Sequence, residues 1–151
     1  MYALAHLCFG LSLCYVSGFP VVLGMLASVL PDLDVMFSYG FPVVHRGIMH
    51  TPAAGLALGL VVFLVSGSRL NAYGFVSGYF SHLFVDSLTF SGIMALYPWT
   101  PSFSWQALSA SSLTANFVIA MYSLLVFAFW HYRTRILRWK GMIEEWFLYP
   151  S

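Results

Sequence analysis

The sequence predicts an all-α integral membrane protein, a bundle of about five transmembrane helices followed by a C-terminal interfacial amphipathic helix. Three observations carry that class. The 151 residues are 60% hydrophobic and only 7% charged, where a soluble domain has about a quarter charged residues. Gly and Pro cut the apolar sequence into lengths that suit helices. Four of the six Lys and Arg residues, Arg133, Arg135, Arg138 and Lys140, crowd together just after the last apolar run. The net charge of +1 is too small, and its basic residues too local, for a nucleic-acid-binding face.

Residues 3 to 30 are almost wholly apolar, but Gly18-Phe19-Pro20 breaks them into helices at about 3–17 and 20–30. Both are short against the roughly 20 residues of a full crossing, which also suits a tilted or re-entrant hairpin. The first has no basic residue ahead of it and no small-residue cleavage site, so it is expected to be retained. Its Cys8 and Cys14 read as small core residues. Pro31 closes the second helix. Thr51 as N-cap and Pro52 at the first helical position open a third at about 52–66. A turn over 66–71 leads to a fourth at about 72–89. The stretch 90–112, with Pro98, Pro101, Trp99 and Trp105, reads as an irregular interfacial loop. A fifth helix at 113–133 is long enough to span unaided. The domain reading is residues 1–135 for the helical unit and 136–151 for an amphipathic tail on the membrane surface.

Basic residues concentrate on cytoplasmic loops. With Arg69 and the four C-terminal basic residues inside, five crossings put the other loops outside and the C-terminus in the cytoplasm. His6, Asp32, Asp34, His45, His50, His82 and Asp86 then all come to the outer end of the bundle. These are all three Asp and four of the five His residues. His82 and Asp86 stand at i and i+4, one above the other on a single helix face. An unpartnered Asp at mid-membrane costs roughly 2.5–3.5 kcal/mol, so Asp86 needs a partner. Imidazole with carboxylate suits zinc, with manganese or iron as alternatives. Seven ligands exceed what one tetrahedral ion takes, which points to two metal ions sharing an activated water. Taken singly, each residue also reads as a hydrogen-bonded polar group; their convergence is what favours a metal. Arg46 reads either as a clamp for a phosphate oxygen or as an anchor to lipid headgroups.

His6, the segment Leu30-Pro31-Asp32-Leu33-Asp34, the segment His45-Arg46-Gly47-Ile48-Met49-His50-Thr51 and the segment His82-Leu83-Phe84-Val85-Asp86-Ser87-Leu88-Thr89, with Gly92 and Pro98, together resemble the YdjM-like family over about residues 1–100. The resemblance implies a small inner-membrane, metal-dependent hydrolase of the kind that is under LexA control in some bacteria, with the seven His and Asp residues as ligands. The family is distantly similar to zinc-dependent phospholipase C. The chain has no further His-x-x-x-Glu helix, and Glu144 and Glu145 lie in the tail, which tells against a third zinc.

The function expected is therefore hydrolysis of a phosphoester or lipid-like substrate at the outer membrane interface. Asp34 or Asp32 would serve as bridging ligand and proton acceptor, Arg46 would steady the phosphate, and the loop from Tyr97 to Trp105 would form a lid or a wall for lipid entry. The alternatives are a non-catalytic membrane protein with a structural metal cluster, and a metal transporter. The polar residues stop at one side of the bundle, which favours a one-sided site over a transport path. Substrate, metal identity and oligomeric state are not legible.

Overall fold

A computed structural model describes residues 2–35, 45–99 and 103–148, with side chains up to Trp139. The part of the 31–51 loop at 36–44, and Pro101, lie outside the described residues. Five α-helices account for most of the chain: α1 (Ala3–Ser17), α2 (Val21–Ala27), α3 (Pro52–Ser66), α4 (Arg69–Ser87) and α5 (Leu113–Leu148). Among the described residues there is no strand, only two isolated bridges, Thr89 with Leu108 and Ile93 with Phe103.

Local chemistry sets each boundary. Gly18 takes the left-handed C-cap of α1 at φ 72°, a conformation free of Cβ strain only for glycine. α2 ends at Ala27, shorter than expected, and the chain tightens into a 3-10 turn at Leu30–Leu33. Pro31 sits in the first turn of this segment, where its missing N–H costs nothing, so it begins a tight turn instead of closing a long helix. Thr51 caps α3, its hydroxyl accepting from the Ala54 N–H at 3.1 Å. Ser68 does the same for Asn71 at 3.3 Å, so α4 starts three residues earlier than the composition suggests.

The carbonyls at the C-terminal end of α4 are satisfied by the loop that follows. Ser87 O accepts from Trp105 N at 2.9 Å, and Leu88 O from Ala107 N and Leu108 N at 3.0 Å. The Pro-rich stretch is irregular, as expected, yet tied to the helix end that carries Asp86. Ala27, Phe75, Tyr79, Leu83 and Ile93 form the core beside it, and Cys8 and Cys14 are buried free thiols.

α1 lies against α2, α4 and α5, and α2 against α4. These contacts are close because glycines line them: a Cβ on Gly78 of α4 would meet the Gly24 carbonyl oxygen of α2 at 2.0 Å. Close backbone approach through small residues is how helices associate where surrounding lipid removes the hydrophobic drive.

α5 runs unbroken for 36 residues, so the expected division near 135 is not a break in the helix. No Pro interrupts it, and the single Gly141 costs only ~1 kcal/mol in a helix. At 1.5 Å per residue it is ~54 Å long, well beyond the ~30 Å hydrocarbon core. Within it, Leu113–Trp139 is the one stretch among the described residues long and apolar enough to cross a membrane by itself. α1 and α3 are apolar but have 15 residues each, ~22 Å, so of the expected five crossings one helix among the described residues meets the length of a span by itself.

The start of α5 is pinned to the N-terminus of α1 by Asn116. Its amide oxygen accepts from Tyr2 N at 2.8 Å, and its amide nitrogen donates to Ala110 O at 3.1 Å and Ser112 O at 2.7 Å. Asn116→Ala removes these three part-buried hydrogen bonds. It is expected to cost ~1–3 kcal/mol, read as a lowered melting temperature in detergent with bound metal unchanged.

Candidate metal centre

Antiparallel helices bring the chemistry to one end. His6 is in the first turn of α1, Asp32 and Asp34 at the 3-10 turn after α2, His50 just before α3, and His82 and Asp86 in the last two turns of α4. His6, His50, His82 and Asp86 are fully buried, and Asp34 nearly so. Two sets of donors form. One is Asp32, His50, His82 and Asp86; the other is Asp34, His45 and His50; within each set the ligand atoms lie within 4.8 Å of one another. Either could hold a metal ion, and His50 belongs to both.

The protonation pattern distinguishes them. His82 Nδ1 lies 2.8 Å from Ser28 O. A carbonyl only accepts, so Nδ1 carries the proton and Nε2 is left with a lone pair. His50 Nδ1 lies 3.2 Å from Asp34 Oδ2, an ion-pair contact without hydrogen-bond geometry. The two Nε2 atoms then face each other at 3.2 Å. Asp32 Oδ1 is 3.5 Å from His50 Nε2 and 3.6 Å from His82 Nε2, and Asp86 Oδ2 is 3.8 Å from both. Two imidazole nitrogens and two carboxylate oxygens thus face one point, a donor set that could hold a cation.

That cation is either a proton on one imidazole or a metal ion. With a proton there, burial pushes the Asp32 carboxyl up, but the hydrogen bond from His50 and the fields of His82 and His6 outweigh it and hold the group below its usual value. The dimensions also suit a metal. Five of the six edges of this polyhedron run from 3.2 to 3.8 Å. Tetrahedral zinc at its usual ~2.0–2.1 Å from N and O ligands has edges of about 3.3–3.4 Å.

The remaining expected ligands stand one contact further out. His6 Nε2 approaches the other Asp86 oxygen at 3.4 Å, and its ring stacks on His82 with centroids 3.9 Å apart. Asp34 holds His50 on one side and His45 on the other, with His45 Nδ1 at 2.8 Å from Asp34 Oδ1. The His45 side chain is 43% exposed, against none for His50. Carboxylates behind ligating histidines fix their tautomer and orientation, and Asp34 is placed for that task.

Arg46 departs most from expectation. Its Nη2 lies 3.1 Å from Asp86 Oδ2, and its Nη1 donates to Thr89 Oγ1 at 3.1 Å and Gly92 O at 2.7 Å. Both terminal amino groups are thus engaged inside the protein, where the sequence suggested a phosphate clamp or a headgroup anchor. The residue adopts φ 64°, uncommon for a non-glycine. In that conformation its backbone N–H also donates to Asp34 Oδ2 at 3.1 Å, so one residue ties two of the three carboxylates together. The Tyr79 hydroxyl, a residue no motif in the sequence singles out, donates to Met49 O and fixes the backbone beside His50.

No curated protein and no solved structure matches the chain. The family described as YdjM inner membrane protein matches residues 1–149, so the unit reaches past the motif-bearing first hundred residues and includes α5. The match covers nearly the whole sequence, and the chain belongs to the YdjM inner membrane protein family.

Proposed function

We propose that the chain is a membrane-embedded zinc-dependent hydrolase of a phosphoester in a lipid-like substrate, with its site at the outer membrane interface and its basic C-terminal turns on the cytoplasmic side. The observation that supports this best is the convergence of two imidazole lone pairs and two carboxylate oxygens in a buried pocket. Asp32, His50, His82 and Asp86 would hold the ion. When bound, zinc supplies Lewis acidity and lowers the pKa of a water molecule.

The residues of the chain divide the remaining work. Asp32 is 25% exposed at its side chain while Asp86 is fully buried, so Asp32 is the carboxylate that substrate and water can reach and the one suited to accept a proton. Asp34 orients His50. Arg46 neutralises and aims Asp86, a positioning role in place of the phosphate contact. The reading takes one ion, held by the Asp32, His50, His82 and Asp86 group, with Asp34 kept between His50 and His45.

Metal analysis of detergent-purified protein tests the reading, beside phosphate release from a panel of lipid phosphates and phospholipids. About one zinc per chain is expected, lost together with hydrolysis in the His82→Ala, Asp86→Ala double variant. Asp34→Asn is expected to weaken zinc ~10–100-fold without abolishing binding, the usual effect of removing an outer carboxylate. Two ions per chain would make Asp34 and His45 ligands. Bound metal with no hydrolysis of any phosphoester would leave a structural metal cluster as the function.

A further inference from the structure

An apolar groove of about 410 Å³ opens beside the metal centre, between the first two turns of α3 and the loop at 95–99. That volume is in the ~300–1,000 Å³ range of small-molecule sites. It is lined by Ile48, Thr51, Ala54 and Ala57 on one part of the chain and by Tyr97 and Trp99 on the other. Residues 54 and 57 share a helix face. Alanine there leaves a trough beside large, exposed Leu56 and Leu60 on the same helix.

Resting on the hydrolase reading above, we propose that this groove takes an acyl chain of a bilayer lipid, so that the substrate is a lipid held by its tail with its polar end at the Asp32–His50–His82–Asp86 group. Two features commit the groove to that occupant. Its lining includes Ile48 and Thr51, which flank His50 in the chain, so an acyl chain lying in it runs beside a residue of the cluster. Its open side is continuous with the exposed apolar surface of Ile48, Leu96 and Trp99, and in an inner-membrane protein such a surface meets lipid. Trp99 at the rim has the amphipathic ring that settles at the headgroup level.

The test is crosslinking of the metal-loaded protein in lipid nanodiscs, using phosphatidic acid that carries a diazirine near the end of one acyl chain, with the modified peptides mapped by mass spectrometry. Labelling is expected to concentrate in residues 48–57 and 95–99, and to fall at least fivefold in Ala57→Leu, which fills the trough from an exposed position and leaves the melting temperature unchanged. Excess unlabelled phosphatidic acid should compete, and inorganic phosphate should not. Labelling spread evenly over α1, α3 and α5, or unaltered by Ala57→Leu, would overturn the proposal. So would dominant crosslinks to a second copy of the chain. Hydrolysis by the wild type is read separately: groove labelling without any turnover sinks the hydrolase and keeps the lipid site, while turnover without groove labelling does the reverse.

Discussion

Asp86→Ala is expected to lose bound metal by more than ~100-fold in affinity and to be the most destabilising change at the site. The first effect exceeds the ~10–100-fold that outer partners of a metal usually contribute, because Asp86 would be one of four ligands. The second comes from what is left behind. The Arg46 side chain is only 12% exposed and its Nη2 meets Asp86 Oδ2 at 3.1 Å, and removing one partner of a buried ion pair costs ~3–5 kcal/mol. Replacing both partners removes the orphaned charge. The Arg46→Met, Asp86→Ala pair should therefore recover most of the melting temperature while metal stays absent. Thermal unfolding followed with metal analysis on the three proteins separates the two effects. Full metal retention in Asp86→Ala would remove Asp86 from the ligand set, and a double variant no more stable than the single would show that Arg46 does not carry the stability cost.

That cycle turns on a contact that no sequence pattern announces. The His82 and Asp86 pair was legible because i and i+4 spacing puts both on one face of an apolar helix, where Asp86 needs a partner. The convergence of His6, Asp32, Asp34 and His50 was legible because alternating helix directions bring these positions to one end, and the structure does so. Arg46 was not, since its engagement depends on a left-handed backbone at 46 and on loop positions 89 and 92 meeting its guanidinium. The division of the seven residues into four inward-facing donors and three supporting ones was hidden for a related reason. It rests on which ring nitrogen meets Ser28 O or Asp34 Oδ2, a choice made by backbone placement.

The helix ends show where local chemistry outweighs composition. Thr51-Pro52 marked the start of α3 correctly because a cap and a fixed φ act locally. The basic cluster after 132 suggested a boundary, but charge alone does not end a helix, and α5 passes through it. Of the five expected crossings, one helix among the described residues has the length and apolarity of a span by itself. Fifteen apolar residues in α1 and in α3 make ~22 Å of helix, and the packing of α1 on α2, α4 and α5 and of α3 on α4 is a tertiary property.

Gly78→Ala is expected to disable the metal site from a distance, with a stability loss at or above ~3 kcal/mol, the upper end of ordinary overpacking. The added methyl would lie 2.0 Å from Gly24 O, 2.6 Å from Gly24 C and 2.7 Å from Gly24 Cα. These are helix backbone atoms that no rotamer change can clear, so α2 must move away from α4. Gly24 is one turn before Ser28, whose carbonyl fixes the His82 tautomer at 2.8 Å, and four residues later comes Asp32. A shift of α2 therefore removes an orienting partner from one ligand and displaces another, so zinc affinity should fall together with melting temperature. Gly67→Ala is the contrasting change. At φ 64° with nothing within 4 Å of the new Cβ, it meets only the left-handed backbone strain of ~1–2 kcal/mol, far from the cluster, and zinc should stay bound. Equal metal content in both variants would mean that the α2–α4 contact does not position the site, and that Ser28 and Asp32 are held by the 3-10 turn alone.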